Sequence, residues 1–299
     1  MILKLLFYFI KYSIIFSIIK IIPLVYSYGI SRLLNFRIWK RIKGKWIIIT
    51  GATDGIGKEL AKNLARRKFN LIILGRNVNK LEEMEEEIKK EGVECRTVLV
   101  DFTRESDFEF LKEKLDIGML INNVGCSSDH PKFLIEEDKI RDIVNINIKN
   151  TYILTKKVLT KMMEVNNGVV LNIGSFTGDF PSPLLSVYSS SKAMIKAWSK
   201  SLHYEMKPYK IHVECMNTGY VATKMSKIKT PSFFVPTPKT YADNILRTFG
   251  TMSVSIPYFP HVLCYIGIIL IPDFVMGIGV FFTLFRTRKK AIGKERKCE

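Results

Sequence analysis

The 299 residues carry 47% hydrophobic side chains, which suits one large α/β domain or two small ones and excludes a chain that is disordered over most of its length. The formal charge of +18 sits at the ends: residues 1–45 hold nine lysines and arginines and no acid, and the tail from Arg286 holds seven bases against Glu295 and Glu299. A middle balanced to within +4 between basic ends points to anionic lipid headgroups and away from nucleic acid.

The first zone, residues 1–45, opens with an aliphatic stretch through Ile30. Lys11 and Lys20 interrupt it and no small-residue cleavage site follows, so it does not read as a cleaved signal peptide. Any window of about 20 residues includes a lysine, which compromises a full membrane span, although lysines near the edge can snorkel. The expectation is an N-terminal membrane anchor or in-plane helix with a basic linker; a helix packed on the protein's own surface is the alternative.

The middle zone, 46–255, alternates short β-branched runs with helical patterns. Trp46–Thr50 is a continuous apolar run, as in a strand buried on both faces. A glycine-rich turn and a helix to about Lys68 follow, then a strand over Asn70–Leu74 and a charged helix over Leu81–Lys90 stopped by Gly92. Val93–Val100, Ile117–Ile121, Gly168–Ile173 and Ile211–Cys215 read as further strands with helical patterns between them. This alternation predicts an α/β fold, a doubly wound parallel sheet of Rossmann type with ligands at the carboxyl ends of its strands.

The last zone, 256–299, is apolar to Phe285 and then basic, and Ile271-Pro272-Asp273 divides it. Val262–Ile271 and Phe274–Phe285 are each too short to cross a hydrocarbon layer of about 30 Å. A helical hairpin that dips into the membrane, or a pair of helices lying on it, keeps both flanks on the cytosolic side; a substrate lid or dimer face is the soluble alternative. Arg296-Lys297-Cys298-Glu299 has the form of a dibasic retrieval signal for the endoplasmic reticulum, although a solvated tail fits it equally well. The five cysteines are odd in number and show no paired spacing, which argues against disulfides and zinc and for a reducing compartment.

Two constellations in the middle zone carry chemistry. Thr50-Gly51-Ala52-Thr53-Asp54-Gly55-Ile56-Gly57 lies between a strand and a helix. Gly51 suits the tight turn, Gly55 the backbone's approach to a pyrophosphate and Gly57 close helix–strand contact, while the helix N-terminus faces the phosphates. The second strand ends Leu74-Gly75-Arg76, with no acid for a ribose 2′-hydroxyl, and Arg76 can grip a 2′-phosphate. That favours NADPH over NADH. Asp101 can accept from the adenine amino group, and Asn122-Asn123-Val124-Gly125 supplies a small-residue floor beside the cofactor.

In the second constellation, Tyr188-Ser189-Ser190-Ser191-Lys192 places a phenol and an ammonium one helical turn apart, where the cation lowers the phenol's pKa. Tyr152/Lys156 and Tyr220/Lys224 have the same spacing, but only Tyr188 has a hydroxyl residue, Ser175, thirteen positions earlier and directly after a predicted strand. The other two pairs are expected on a helix packed against the sheet and in a surface loop.

With TGATDGIG, NNVG, the Asn147 of NINI, Ser175 and YSSSK in this order, the chain resembles the short-chain dehydrogenase/reductase family from about Lys45 to Gly250. The resemblance implies that Tyr188 protonates a carbonyl oxygen to which Ser175 also hydrogen-bonds. Lys192 then holds the nicotinamide ribose and depresses the Tyr188 pKa, and Asn147 bends its helix and holds a water that relays protons to Lys192. Val221 and Thr223 match the family's cofactor clasp, but Thr218-Gly219 stands where the family often has Pro-Gly.

Gly51–Lys58, Asn122–Gly125, Tyr220–Met225 and the Pro-interrupted apolar C-terminus are similar to a membrane-associated branch: the very-long-chain 3-oxoacyl-CoA reductases and related 17β-hydroxysteroid dehydrogenases. This implies reduction of long-chain 3-oxoacyl-CoA in fatty-acid elongation, with a steroid dehydrogenase as the alternative. It further implies an endoplasmic-reticulum location with the catalytic domain facing the cytosol. Acyl-CoA, membrane lipid, other elongation enzymes and a second copy of the chain are the partners compatible with it. The loop Met225–Lys239, with Phe233, Phe234 and three prolines, is expected to form an apolar lid over the acyl chain or, failing that, a plain connector.

Overall fold

The computed structural model describes residues 35–250 and 252–295, together with Ile22 and Gly29. Most of the expected N-terminal anchor and the terminal Arg296-Lys297 pair lie outside the described residues.

A short helix, α1 (Phe36–Ile42), buries Ile38 and Ile42 and leads into the sheet. Seven strands form one wholly parallel sheet: β1 (Trp46–Thr50), β2 (Asn70–Gly75), β3 (Cys95–Leu99), β4 (Ile117–Asn122), β5 (Gly168–Ile173), β6 (Ile211–Met216) and β7 (Val254–Ser255). Their order is β3-β2-β1-β4-β5-β6-β7. The winding therefore reverses between β1 and β4, and the crevice outside their carboxyl ends is where such sheets bind ligands.

The alternation within β1 shows how the two layers form. Ile47 and Ile49 face a core shared with α1, α2 (Gly55–Arg66), α3 (Val78–Lys89) and α7 (Pro238–Thr248). Ile48 points the other way, into a core shared with α5 (Asn150–Glu164) and α6 (Ser186–Glu205). All three isoleucines are fully buried, as the continuous apolar run requires.

Several boundaries differ from the sequence expectation. β3 covers Cys95–Leu99 and not Val93–Val100, because the Glu94 N–H is taken by the Asn70 side chain and the strand lies at the sheet edge. β6 continues to Met216, and β7, which follows it in the sheet, spans two residues, too few for a sequence pattern. α3 begins at Val78, three residues before the expected start, because the Asn77 side chain caps it by accepting from the Lys80 N–H.

The apolar C-terminal zone forms α8 (Phe259–Leu270) and α9 (Asp273–Glu295), with the chain turned by 119° at the break. Among the described residues no single helix is long and apolar enough to cross a membrane, although the bent pair meets that measure together. α9 does not stop at Phe285: it continues through the basic segment, since lysine and arginine are good helix formers. Arg288 is not free for lipid but pairs with Glu136 at 2.7 Å, donates to the Pro131 carbonyl and lies over the Phe133 ring.

Candidate active site

The glycine-rich turn is held by the polar groups around it. The Thr50 hydroxyl accepts from the backbone N–H groups of Asn123 and Val124, and the Asn123 amide donates to the carbonyls of Thr50 and Gly51, all at 3.0 Å. Asn123 therefore braces the turn from beneath, a structural task the sequence did not reveal, while its own side chain is committed to that backbone. Gly51 and Gly55 have φ values of +65° and +55°, the left-handed region that glycine tolerates. A Cβ on Gly57 would collide with the Gly51 carbonyl and the Asn123 amide.

Asp54 caps α2 by accepting from the Gly55 N–H at 2.8 Å and also pairs with Lys224 at 2.8 Å. Burial opposes its charge, but these hydrogen bonds and the two nearby lysines outweigh it and hold the carboxyl below its usual range. Arg76 follows β2 and is exposed, with the Thr53 methyl packed near Gly75 beside it. Asp101 is exposed at the end of β3, where one carboxylate oxygen accepts from both the N–H and the hydroxyl of Thr103. That turn lowers its pKa and occupies the oxygen.

The reactive side chains are assembled from four elements. A ladder of buried side chains fixes α5 and α6 to the sheet: Asn122 on β4 donates to Thr155 on α5 and to Asn172 on β5, and Asn172 donates to Ser199 on α6. Each bond is 2.8 Å long. Nearer the site, α4 (Ile140–Val144) passes into a π-helical turn, Asn145–Lys149, before α5 begins. Asn147, in that turn, accepts from the Cys126 N–H and donates to the Cys126 carbonyl and the Ser191 hydroxyl. Ser191 in turn donates to the Tyr188 carbonyl at 2.7 Å. The loop after β4 and the first turn of α6 are thereby locked together.

Ser175 follows β5 and caps a 3₁₀ turn, Phe176–Gly178, that lies close against α6: a Cβ on Gly178 would come within 2.6 Å of the Ala193 nitrogen. The half-buried Tyr188 hydrogen-bonds with Ser175, and the Lys192 ammonium lies 5.8 Å from the phenol ring centre. Lys192 is buried and donates to the Ile173 carbonyl at 2.9 Å.

The protonation balance differs from the expectation. Burial pushes the Tyr188 phenol up to about 12, only partly offset by a hydrogen bond with Ser175. Burial also draws the Lys192 ammonium down to about 8. Desolvation penalises both charged forms, so the balance runs opposite to the expected depression of the phenol by the amine.

The residues fit a dinucleotide on structural grounds. Glycine at 51 and 57 lets the turn pack closely on its neighbours, where a Cβ would come within 3.1 and 2.3 Å of them, and the first-turn N–H groups of α2 have no partners within the helix. A Cβ on Gly125 would stand 3.5 Å from Asn147 Oδ1 and 3.6 Å from Lys192 Nζ, so glycine keeps the space between them clear.

Val221 is buried and Thr223 half-buried on the loop after β6, and a Cβ on Gly55 would meet the Thr223 methyl at 3.5 Å. The loop thus folds across to the cradle. Further on, Ser232 and Val235 exchange backbone hydrogen bonds, which projects Phe233 and Phe234 to the surface at 61% and 49% exposure.

Of the other tyrosine–lysine pairs, Tyr152/Lys156 lies on α5, whereas Tyr220 is near enough to add to the upward push on the Tyr188 phenol and Lys224 pairs with Asp54 at the cradle. Tyr152 stacks on Trp198 between α5 and α6, with ring centres 4.2 Å apart, and Tyr220 is exposed in the loop after β6. The structural roles of Thr50, Asn172, Ser191 and His261 were not legible in the sequence, although Thr50 and Ser191 each lie within a recognised motif.

A family model described as short chain dehydrogenase matches residues 45–232. The chain is 42% identical over 227 residues to the very-long-chain 3-oxoacyl-CoA reductase of Anas platyrhynchos, covering 73% of each chain. It is 39% identical over 273 residues to the enzyme of that name from Aspergillus clavatus, covering 85% of this chain and 79% of that one. Among solved structures, a short-chain dehydrogenase from Sphingobium yanoikuyae in complex with NADPH superposes with a TM-score of 0.66 at 26% identity, covering 75% of this chain and 92% of that chain.

Proposed function

The chain belongs to the short-chain dehydrogenase family, and from that membership we infer that it reduces the 3-oxo group of very-long-chain 3-oxoacyl-CoA to the 3-hydroxy compound with NADPH, as a step of fatty-acid elongation. The single observation that carries this reading is the convergence of half-buried Tyr188 and Ser175 with buried Lys192 near the carboxyl end of β5, in a chain whose glycine-rich turn leads from β1 into α2.

Bound NADPH supplies the hydride. Tyr188, protonated at neutral pH as a phenol is and held more firmly so by burial, gives its proton to the substrate's carbonyl oxygen. Ser175 hydrogen-bonds to the same oxygen and orients it. The phenolate left behind is stabilised by the Lys192 ammonium, which also holds the nicotinamide ribose. Asn147 fixes the first turn of α6 through Ser191 and borders the gap beside Lys192 through which a proton is returned. Arg76, exposed after β2, takes the cofactor's 2′-phosphate, and Asp101 contributes to the adenine end.

The reading carries a location with it: the endoplasmic-reticulum membrane, with the sheet on the cytosolic side and α8 and α9 lying against the lipid. Its support is the outward apolar surface of these helices, where Phe274 is 72% and Phe282 58% exposed. At about 0.8 kcal/mol per buried CH₂, a long acyl chain stays in the bilayer, so its reductase gains by opening there. Membrane lipid, other elongation enzymes and a second copy of the chain are the partners of this reading.

Incubation of the detergent-solubilised protein with NADPH and 3-oxostearoyl-CoA tests it. The expected product is 3-hydroxystearoyl-CoA with matching NADPH consumption. Turnover of estrone alone overturns the acyl-CoA assignment.

A further inference from the structure

Resting on this reductase reading, we propose that His261 is a positioning residue for the cofactor loop Thr218–Tyr220, which it fastens to the apolar helix α8. His261 is 1% exposed and reaches across 42 positions of sequence to Gly219. Its Nδ1 accepts from the Gly219 N–H at 3.3 Å, so the ring proton resides on Nε2, which donates to the Tyr220 carbonyl at 3.0 Å. Burial keeps the imidazole neutral, as this pairing requires.

The ring's fit is as specific as its hydrogen bonds. Phe176, Tyr241 and Tyr258 surround it, with centres 5.7, 5.5 and 5.1 Å away. A Cβ on Gly219 would lie 3.0 Å from both the imidazole and the Phe176 ring. Phe176 follows Ser175 and donates its N–H to the Thr218 carbonyl at 2.9 Å, while the Thr218 hydroxyl accepts from Tyr241. The loop is therefore held on one side by the turn that carries Ser175 and on the other by α8. Where related sequences often place a proline to stiffen this loop, the chain has Thr218 and a histidine from outside the sheet.

Tyr265, one turn further along α8, provides the contrast. Its hydroxyl accepts from Lys196, which is paired with Asp179, so it clamps the same helix without touching the loop. If His261 positions the loop, its loss changes cofactor affinity. If it only packs α8, its loss resembles that of Tyr265.

The test compares the full-length protein with its His261→Phe, His261→Gln and Tyr265→Phe variants. It measures NADPH Kd by fluorescence, KM for 3-oxostearoyl-CoA, melting temperature, and hydrogen exchange at the Gly219 amide without NADPH. His261→Phe, which keeps a ring but neither hydrogen bond, is expected to raise the NADPH Kd about tenfold, in line with the loss of one to two neutral hydrogen bonds. It should also speed Gly219 exchange and leave the acyl-CoA KM within about twofold. His261→Gln, with one donor and one acceptor, should recover most of the affinity. Tyr265→Phe should lower the melting temperature alone.

A wild-type Kd in His261→Phe, no recovery in His261→Gln, or an equal rise in Tyr265→Phe overturns the proposal. If His261→Phe does not fold, His261→Asn, whose amide is one methylene shorter than that of glutamine and cannot span both partners, takes its place: an intermediate Kd supports the proposal and an unchanged one overturns it. If the wild type neither binds NADPH nor reduces the substrate, the reductase reading falls, and Gly219 exchange in the variants still decides whether His261 holds the loop.

Discussion

Tyr188/Lys192 and Tyr152/Lys156 have the same spacing on adjacent helices, α6 and α5, yet their surroundings give them different capacities. Tyr188 begins its helix at the carboxyl edge of the sheet, with Ser175 against its hydroxyl and Lys192 buried behind it. Tyr152 lies in the first turn of α5 with its ring against Trp198, and Lys156 is exposed. Burial raises the pKa of both phenols, and for Tyr188 a hydrogen bond with the Ser175 hydroxyl partly offsets it. A phenol and an amine one turn apart thus become an acid–base device only where a third group and a ligand cleft face them.

The widest separation between the two pairs is expected from Tyr188→Phe, which removes the proton donor. kcat for 3-oxostearoyl-CoA should fall by about 10³-fold while NADPH fluorescence still titrates normally, whereas Tyr152→Phe stays within about twofold. Retained turnover in Tyr188→Phe would break the comparison.

Next in size is Lys192→Met, with a loss of about 10²-fold, against no measurable change for Lys156→Met. Here pH sharpens the contrast. Lys192 is charged below about 8 and neutral above it, so kcat/KM for reduction in the wild type should decline as pH rises through that value. The decline should be absent in Lys192→Met. A flat wild-type profile would separate Lys192 from the proton chemistry.

Asn147→Ala leaves the Cys126 N–H and carbonyl without their side-chain partner and frees Ser191, and about tenfold in kcat is expected with a smaller change in the NADPH Kd. The smallest kinetic effect belongs to Trp198→Ala. Removing the ring that stacks on Tyr152 should lower unfolding stability by about 2 kcal/mol in urea titration and leave kcat within about twofold. A kinetic loss there comparable to that of Asn147→Ala would mean that the second pair also supports catalysis.

The parts that were legible in sequence are those determined by neighbours along the chain. Ile47, Ile48 and Ile49 announce a doubly covered strand, and Gly51, Gly55 and Gly57 announce the turn after it, because both signals are local. Asn123 looked like a cofactor contact, since nothing in sequence shows that its amide reaches back to Thr50 and Gly51. His261 was hidden within an apolar run, 42 residues from its partner. The Tyr188 phenol has a related history: spacing shows the nearby amine, but the burial that raises the pKa exists only in the folded chain. Arg288 was counted with the basic tail, and only the docking of α9 near Pro131 and Glu136 gives it an intramolecular partner.

The π-helical turn at Asn145–Lys149 has a consequence for how this chain tolerates change in length. Such a turn accommodates one more residue than an α-helical turn, and each residue of an α-helix advances its rotational phase by about 100°. Deleting a single residue there would restore an α-helical turn and leave Thr155 and Leu154 facing the sheet, but it would move Asn147 off Cys126 and Ser191. A one-residue deletion in this turn should therefore cost activity more than stability.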